Sequence, residues 1–238
     1  MIHSNNTLAY VLSAGCGRRL GGVCKGRVLF DGLPLVVRQI DTMVGAGIRQ
    51  VRVVVDHQAQ SIQKIIDDHK SRNYWLMVDE GLSFLNVGRP DLMGGSDPDI
   101  QVSVLAVLRD AKSELAKHQT LTGVLISLVD LPLLSSSDVS ELVTFASALS
   151  ASAVIPMTAA EQPGHPIWLS REMLMTLDLE RTGFSLRAVF RSETMPSQLR
   201  VEQMLTSRPG FFRDLDTPED IETFQRDHHS KIVIPTRS

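Results

Sequence analysis

Glycine and basic side chains are concentrated in one short stretch near the start of the chain. Residues 13–26 read SAGCGRRLGGVCKG, with five glycines, the neighbouring Arg18 and Arg19, and Lys25 close to the end. Glycine lets backbone N–H groups approach a ligand without a Cβ in the way, and successive amides that point to one place bind anions. We interpret this segment as a phosphate-binding loop, although its composition alone also fits a solvated turn.

Two aspartates far apart in the sequence are candidate ligands for a divalent cation. Asp130 directly follows the apolar segment TGVLISLV. In FFRDLDTPED, Leu215 separates Asp214 from Asp216, so the two aspartates face the same way on an extended segment. Each has a common structural explanation, a turn or cap for Asp130 and helix-dipole stabilisation for Asp216. Opposite a basic glycine loop they also fit a magnesium–nucleotide site, because Mg²⁺ prefers one or two carboxylates with phosphate oxygens and water.

Segments that favour strands alternate with segments of helical periodicity. Strands are predicted at TLAYVLS, RQVRVVVD, NYWLMVD and TGVLISLVD, and helices at PLVVRQIDTMVGAG, QSIQKIIDDHK, IQVSVLAVLRDAKSELAKH and SSDVSELVTFASAL. Strict alternation predicts a single Rossmann-like α/β domain over residues 1–238, with three layers and helices on both faces of a mostly parallel, twisted sheet. Ligands bind beyond the carboxyl ends of the strands in such sheets, where the glycine loop and Asp130 fall.

The alternation changes in two places. Between Glu80 and Asp99, Gly, Pro, Asn and Asp follow in quick succession, which predicts a long loop over the sheet edge. After residue 150 we expect short strands at SAVIPM and HPIWLS, short helices around 171–179 and 184–192, and a final helix with Thr217 as N-cap and Asp220 reaching back. The polar tail from about Arg226 is expected to fray.

Composition limits the classes of partner. The 238 residues are 43% hydrophobic, enough for a substantial core. The net charge of −3 gives no general attraction to nucleic acid or an anionic membrane, so neither is expected as a partner. No signal-peptide pattern and no apolar run approaching about 18 residues is present, which predicts a cytoplasmic location. Cys16 and Cys24 are expected to be free thiols.

The segment LSAGCGRRLGGVCKGRVLFDGLPLVVR resembles the opening signature of the MobA-like nucleotidyltransferases, a glycine loop followed by a short hairpin and a helix. The resemblance continues in order through VVVDHQAQSI, the aspartate–x–proline metal motif in LVDLPLL, the GHP motif in GHPIWLS and the closing motif in DLDTPEDIETF. The last two are most similar to the branch that cytidylylates molybdopterin, whereas RRLGGVCKG is similar to the guanylylating branch.

Three departures from the family pattern affect base specificity. Gly17 stands where cytidylylating relatives usually carry Ser, and Leu20 replaces the usual Met. DIQVSVLAVL keeps only Ser103 of the serine- and glycine-rich start that relatives present to the nucleotide.

The resemblance also implies roles for individual residues. Nucleotide contacts are implied for Ala14, Gly15, Gly17, Gly21, Gly22, Lys25 and Ser103. Arg19 would bind the β- and γ-phosphates, Lys25 the α-phosphate, and Asp130 with Asp216 would hold Mg²⁺, so that Lys25, Arg19 and Asp130 form the catalytic set.

Other side chains have two interpretations. His165 and Arg187 would face the acceptor, but His165 equally fits a structural histidine. Trp168 and Phe184 could stack on a pterin or base, although aromatic residues among apolar neighbours more often belong to the core. Arg18 is expected to be a solvated neighbour of the site.

The implied activity is Mg²⁺-dependent transfer of a nucleotide from an NTP, with CTP favoured over GTP, to molybdopterin, releasing pyrophosphate. A transient contact with a molybdoenzyme or its chaperone is a further expectation. Two alternatives stay open: the same chemistry on a sugar phosphate, polyol phosphate or other phosphorylated metabolite, and a non-catalytic nucleotide-binding relative. Lys25, Asp130 and Asp216 argue against the last, because a sensor needs no metal pair.

Overall fold

The computed structural model describes residues 4–15, 17–70, 81–87, 98–180, 184–190 and 198–236. Its strands are β1 (Thr7–Leu12), β2 (Leu29–Phe30), β3 (Leu33–Pro34), β4 (Gln50–Val55), β5 (Leu82–Asn86), β6 (Gly123–Leu128), β7 (Ala153–Met157), β8 (Ile167–Ser170), β9 (Val201–Leu205) and β10 (Ile232–Val233). Its helices are α1 (Leu35–Gly45), α2 (Ala59–Lys70), α3 (Pro98–Lys117), α4 (Ser136–Leu149), α5 (Arg171–Thr176), α6 (Leu186–Phe190) and α7 (Pro218–His228).

Seven strands form one sheet in the order β5-β4-β1-β6-β8-β7-β9. The pairs β5/β4, β4/β1, β1/β6 and β7/β9 are parallel, and only β8 runs antiparallel to its neighbours β6 and β7. The mostly parallel sheet predicted from the alternation is therefore confirmed. Because β1 and β6 are parallel neighbours, with Leu12 opposite Leu128, the segments that follow them leave the sheet side by side.

Helices cover both faces of this sheet, as predicted. Alternate side chains of β1 enter different cores: Ala9 and Val11 pack with α1, α2, α4 and α7, whereas Leu8 and Tyr10 pack with α3, α5 and α6. This alternation follows from the two-residue period of a strand. Within the described part of the chain, no helix has the length and apolar character needed to cross a membrane.

The prediction of one long loop from Glu80 to Asp99 is wrong for its first part. Leu82–Asn86 forms the edge strand β5, which pairs in parallel with β4. The surrounding Gly, Pro, Asn and Asp favour a loop, whereas this short strand is stabilised by pairing with β4, which is distant in sequence. The strand predicted at NYWLMVD, and residues 88–97 of the predicted loop, lie outside the described residues.

The C-terminal tail is also more ordered than expected. Ile232 and Val233 form β10, which pairs with β2 in a second sheet of order β10-β2-β3. The Asp31 carboxylate accepts a hydrogen bond from the Lys231 N–H at 2.7 Å, which attaches the tail to the β2–β3 hairpin. Strand β9 was not predicted from the sequence either. The start of α7 is as predicted, with a capping box between Thr217 and Asp220.

Candidate active site

Lys25, Asp130 and Asp216 converge at the carboxyl-end edge of the parallel strands. The Lys25 ammonium lies 2.5 Å from Asp130 Oδ2 and 2.5 Å from Asp216 Oδ1. All three side chains are largely shielded from solvent, with exposed fractions of 20%, 10% and 23%. The structure thus brings together the lysine and both carboxylates that the sequence analysis selected from distant parts of the chain.

Backbone hydrogen bonds explain this convergence. The N–H of Val129 donates to the carbonyl of Leu12 at 3.1 Å, which extends the β1–β6 pairing to the residue before Asp130. The N–H of Leu215 donates to the carbonyl of Asp130 at 2.9 Å, which places Asp216 beside it. Leu215 is fully buried and anchors this extended segment before α7 begins.

The charges in the cluster stabilise one another. Burial alone would lower the pKa of Lys25, but the charges and hydrogen bonds of Asp130 and Asp216 outweigh it and raise the pKa. Burial alone would raise the pKa of Asp216, but Lys25 and then Arg19 hold it below its ordinary value. The pKa of Asp214 is raised, first by desolvation and then by the negative charge of Asp130. Lys25 and Asp216 are therefore ionised at neutral pH.

Arg19 extends the cluster toward solvent. Its guanidinium pairs with Asp216 Oδ2, while 70% of its side chain remains exposed. Arg19 lies in a turn of 3-10 helix, Arg18–Leu20, whose Leu20 is buried and holds the loop against the core. An exposed guanidinium on an anchored loop can reach the phosphates of a ligand bound above the site.

The glycine loop needs glycine at specific positions. Gly17, Gly21 and Gly22 have φ angles of 50°, 73° and 78°. A Cβ at Gly17 would lie 1.8 Å from the carbonyl oxygen of Val23. The Gly17 carbonyl accepts hydrogen bonds from the N–H groups of Leu20 at 2.8 Å and Gly22 at 2.9 Å, which closes the loop. In this conformation the Gly22 N–H is therefore engaged within the loop.

Both cysteines lie within the glycine loop, and Cys24 is the one that the structure describes. Cys24 is a fully buried free thiol, as expected, and donates to the Ser13 carbonyl at 3.5 Å. Burial raises its pKa, which makes the thiol a poor nucleophile. Cys16 lies outside the described residues.

The donor atoms fit a divalent cation. Asp130 Oδ1 is buried and has no hydrogen-bond partner among the described residues, so that it is available as a ligand. The two carboxylates already hold a positive group, the Lys25 ammonium, between them. The described ranges contain no group of three or more His, Cys, Asp or Glu residues arranged for a metal. Two carboxylates are sufficient for Mg²⁺ when phosphates and water complete its shell.

His165 lies near this cluster. Its pKa is lowered, mainly because the imidazole is buried, while Asp130 and a hydrogen bond with the Ile126 backbone act in the opposite direction. Its Nδ1 is buried and has no partner among the residues that are described. The imidazole is thus neutral at pH 7 and anchored to β6 on one side, which is compatible with either predicted role.

The other predicted residues have different surroundings. Ser103 is fully buried in α3, Ala14 packs against the core on the α3 side, and Arg187 is exposed on α6. Trp168 is fully buried and belongs to the core, as aromatic residues among apolar neighbours usually do. Phe184 is partly buried against the opposite core. Their contacts to nucleotide or acceptor remain predictions.

Asp56 is a polar residue at the same edge that the sequence analysis missed. It follows β4, is 2% exposed, and its Oδ1 accepts a hydrogen bond from the Gln58 N–H at 2.9 Å. Its Oδ2 has no hydrogen-bond partner in the described part of the chain and lies 3.5 Å from His57 Nδ1. Asp56 could have been predicted from the sequence, because like Asp130 it comes directly after a predicted parallel strand.

Solved structures of related fold include several nucleotidyltransferases. Rv0371c from Mycobacterium tuberculosis H37Rv in complex with manganese has 18% identity and a TM-score of 0.59, covering 92% of this chain and 98% of that one. 4-diphosphocytidyl-2C-methyl-D-erythritol synthase from Anaerococcus prevotii has 14% identity and a TM-score of 0.63, covering 94% and 97%. Molybdopterin-guanine dinucleotide biosynthesis protein A from Archaeoglobus fulgidus has 18% identity and a TM-score of 0.57, covering 94% and 99%.

Most of the chain matches a known protein family. No curated protein sequence matches the chain. The MobA-like NTP transferase domain matches residues 9–197, which include the glycine loop, Lys25, Asp130 and His165. With the parallel sheet and the lysine–carboxylate cluster at its carboxyl edge, this match shows that the chain belongs to the MobA-like NTP transferase family of nucleotidyltransferases.

Proposed function

We propose that this protein transfers a nucleoside monophosphate from an NTP to a phosphorylated acceptor. The observation that carries the proposal is the Lys25 ammonium held between Asp130 and Asp216 beside the glycine loop. Phosphoryl transfer needs little covalent participation by the protein and depends on positioning and charge neutralisation. A site that combines a lysine, an arginine, two carboxylates and a glycine-rich backbone meets these requirements.

The chain's own residues have distinct tasks in this reaction. An oxygen of the acceptor phosphate forms a bond to the α-phosphorus in line, while the bond to the bridging oxygen breaks and pyrophosphate leaves. Lys25 transfers its contacts from the carboxylates to the α-phosphate, and Arg19 binds the β- and γ-phosphates. The backbone around Gly15, Gly17 and Gly21 binds the triphosphate, with Ala14 and Gly22 completing the loop.

The proposed cofactor is Mg²⁺, held by Asp130 and Asp216. When bound, a divalent cation supplies charge neutralisation at the phosphate oxygens. Two observations support this assignment: the unpartnered Oδ1 of Asp130 among the described residues, and the manganese in the complex of Rv0371c, a protein of similar fold. Ser103 is proposed as a further nucleotide contact.

For the substrates we propose molybdopterin as acceptor and CTP in preference to GTP. The GHP motif at His165 and the DLDTPED motif around Asp216 support the cytidylyl branch. His165 and Arg187 would contact the acceptor. The relative from Archaeoglobus is named for a guanine dinucleotide, which supports the acceptor class and makes GTP the main competitor.

A second candidate acceptor is a polyol phosphate. The relative from Anaerococcus is named for a diphosphocytidyl derivative of methylerythritol, and its structure covers 94% of this chain. Transfer from CTP to such an acceptor would use the same Lys25, Asp130 and Asp216. The two candidates differ in the groups that contact the acceptor beyond its phosphate.

The first test is thermal stabilisation by CTP, GTP, ATP and UTP, each with and without Mg²⁺, since a ligand that binds the native state raises its melting temperature. A Mg²⁺-dependent increase with CTP supports the cytidylyl proposal, and one with GTP supports guanylyl transfer. The nucleotide identified is then incubated with molybdopterin or a polyol phosphate, and pyrophosphate release is measured. Nucleotide binding without release on any acceptor would favour a non-catalytic relative.

A further inference from the structure

Gln39 of α1 contacts the chain on both sides of Asp130, at the Ser127 side chain before it and at the Leu131 carbonyl after it. Its Nε2 donates a hydrogen bond to the Leu131 carbonyl at 2.7 Å, and its Oε1 accepts one from the Ser127 hydroxyl at 3.3 Å. Ser127 belongs to β6, and Leu131 is the residue after Asp130. The single amide therefore spans the end of the strand and the turn that carries the carboxylate.

The position of Gln39 in the core is unusual for its type. Gln39 and Ser127 are fully buried, and Val36, Ile40 and Met43 of the same helix belong to the apolar core. Glutamine is mostly exposed in proteins, and burying an amide is unfavourable unless both its donor and its acceptor are paired. Both the donor and the acceptor of the Gln39 amide are paired, so its two hydrogen bonds compensate for the burial of the amide.

The Asp130 carboxylate depends on its backbone for its direction. Its Oδ2 contacts Lys25, and its Oδ1 has no hydrogen-bond partner within the described ranges. In the proposed reaction Lys25 moves to the phosphates, which removes that contact. The direction of the carboxylate then depends on the backbone of this turn. That backbone is held by Leu12 at Val129, by the Leu215 N–H at Asp130, by Gln39 at Leu131 and by Arg38 at Pro132.

We propose that Gln39 is a positioning residue that directs the Asp130 carboxylate toward the site shared with Asp216, and thereby sets the affinity for the divalent cation that accompanies the NTP. The proposal rests on the proposed function, in which Asp130 is a cation ligand. Removing a group that orients a metal ligand without touching the metal typically weakens metal affinity by about 10- to 100-fold.

The test compares Mn²⁺ affinity, measured by electron paramagnetic resonance in the presence of the stabilising NTP, between wild type and Gln39→Met. Methionine has a similar length and lacks both hydrogen-bonding groups. We expect Mn²⁺ to bind at least about tenfold more weakly. Melting temperatures are recorded in parallel, so that affinities are compared only between folded proteins.

Thr42→Val is the matched control. Thr42 lies one helical turn from Gln39, is buried, and donates from its hydroxyl to the Leu134 carbonyl at 3.3 Å, four residues beyond Asp130. We expect a lower melting temperature with Mn²⁺ affinity unchanged within about twofold, because the bond lost does not flank Asp130. Wild-type Mn²⁺ affinity in Gln39→Met, or equal weakening in both variants, would overturn the proposal.

Two further measurements keep the proposal testable. If Gln39→Met does not fold, Ser127→Ala removes one side of the connection and should weaken Mn²⁺ binding in the same direction, and unchanged affinity there overturns the proposal. If wild type binds no Mn²⁺ with any NTP, the cation assignment fails. The rate of amide exchange at Leu215 in metal-free protein then tests separately whether Gln39 holds the backbone around Asp130. Faster exchange in Gln39→Met than in Thr42→Val supports positioning, and equal exchange overturns it.

Discussion

The N–H of Leu215 donates a hydrogen bond to the carbonyl oxygen of Asp130 at 2.9 Å. These residues lie in segments distant in the sequence, and the bond fixes the next residue, Asp216, opposite Lys25. Because Leu215 is fully buried, the bond is protected from competing water. The relative position of the two segments that carry Asp130 and Asp216 is therefore fixed by a backbone hydrogen bond.

Asp130→Asn keeps the size of the side chain and removes its charge. We expect turnover, measured as pyrophosphate release, to fall at least about a hundredfold, the scale seen when an electrostatic stabiliser is removed. Asp214→Asn is the control, because Asp214 lies on the same segment as Asp216 but lacks a direct ion pair with Lys25 among the described contacts. Its turnover should fall less than about tenfold. Wild-type turnover in Asp130→Asn would refute the assignment.

Lys25→Met removes the positive group between the two carboxylates. Without nucleotide, Asp130 and Asp216 then repel each other, and a divalent cation becomes their best counter-charge. We expect this variant to bind Mn²⁺ at least about tenfold more tightly than wild type in nucleotide-free titrations, and to lose turnover. Arg19→Met, which removes an exposed partner of Asp216, should change nucleotide-free Mn²⁺ affinity much less. Equal Mn²⁺ affinity in wild type and Lys25→Met would show that the ammonium and the cation do not share a site.

Gly17→Asn and Gly21→Asn place the same side chain at two positions of left-handed backbone. Asparagine tolerates positive φ, so backbone strain is similar in both. A Cβ at Gly17 meets the Val23 carbonyl at 1.8 Å, whereas a Cβ at Gly21 meets nothing within 4 Å. We expect Gly17→Asn to abolish thermal stabilisation by the NTP and Gly21→Asn to retain most of it. Equal stabilisation in both variants would indicate that the loop rearranges freely.

Arg19 and Arg18 are neighbours with different proposed roles. Arg19 pairs with Asp216 and faces the cluster, whereas Arg18 is expected to be a solvated neighbour. Arg19→Gln should weaken NTP binding about tenfold in calorimetric titrations, since a charge-assisted contact to phosphate is lost. Arg18→Gln should change it by less than about threefold. The reverse order would exchange the roles of the two arginines.

Burial lowers the pKa of His165 below its ordinary value of 6.5. The folded protein therefore binds this proton less readily than the unfolded chain. The stability that the neutral imidazole contributes is complete above about pH 6.5 and declines as the pH falls below that value. In urea titrations the free energy of unfolding should decrease from pH 7 to pH 5, and His165→Gln should reduce that decrease. A pH dependence identical to wild type would show that the imidazole is not the group responsible.

Local signals predicted the elements that depend mainly on their own residues. Thr217, Pro218 and Asp220 specify the start of α7, since the capping bonds join residues three apart. The β2–β3 hairpin was expected only from the resemblance of residues 12–38 to the family's opening signature, and the positive φ angles of Asp31 and Gly32 form its tight turn. In contrast, β5, β9 and β10 depend on strands distant in sequence, and the apolar content of these short segments did not reveal them.

The sequence by itself determined the alternating fold class and the glycine loop, and it supplied Lys25, Asp130 and Asp216 as candidates. The reason is that residue type, the position of Asp130 after an apolar strand and the position of Asp216 before a helix are all local features. Only the tertiary structure decided that the Lys25 ammonium lies between the two carboxylates and that Gln39 holds the turn behind one of them. The reason is physical: residue types specify which charges and hydrogen bonds are available, while strand order and packing decide which of them meet.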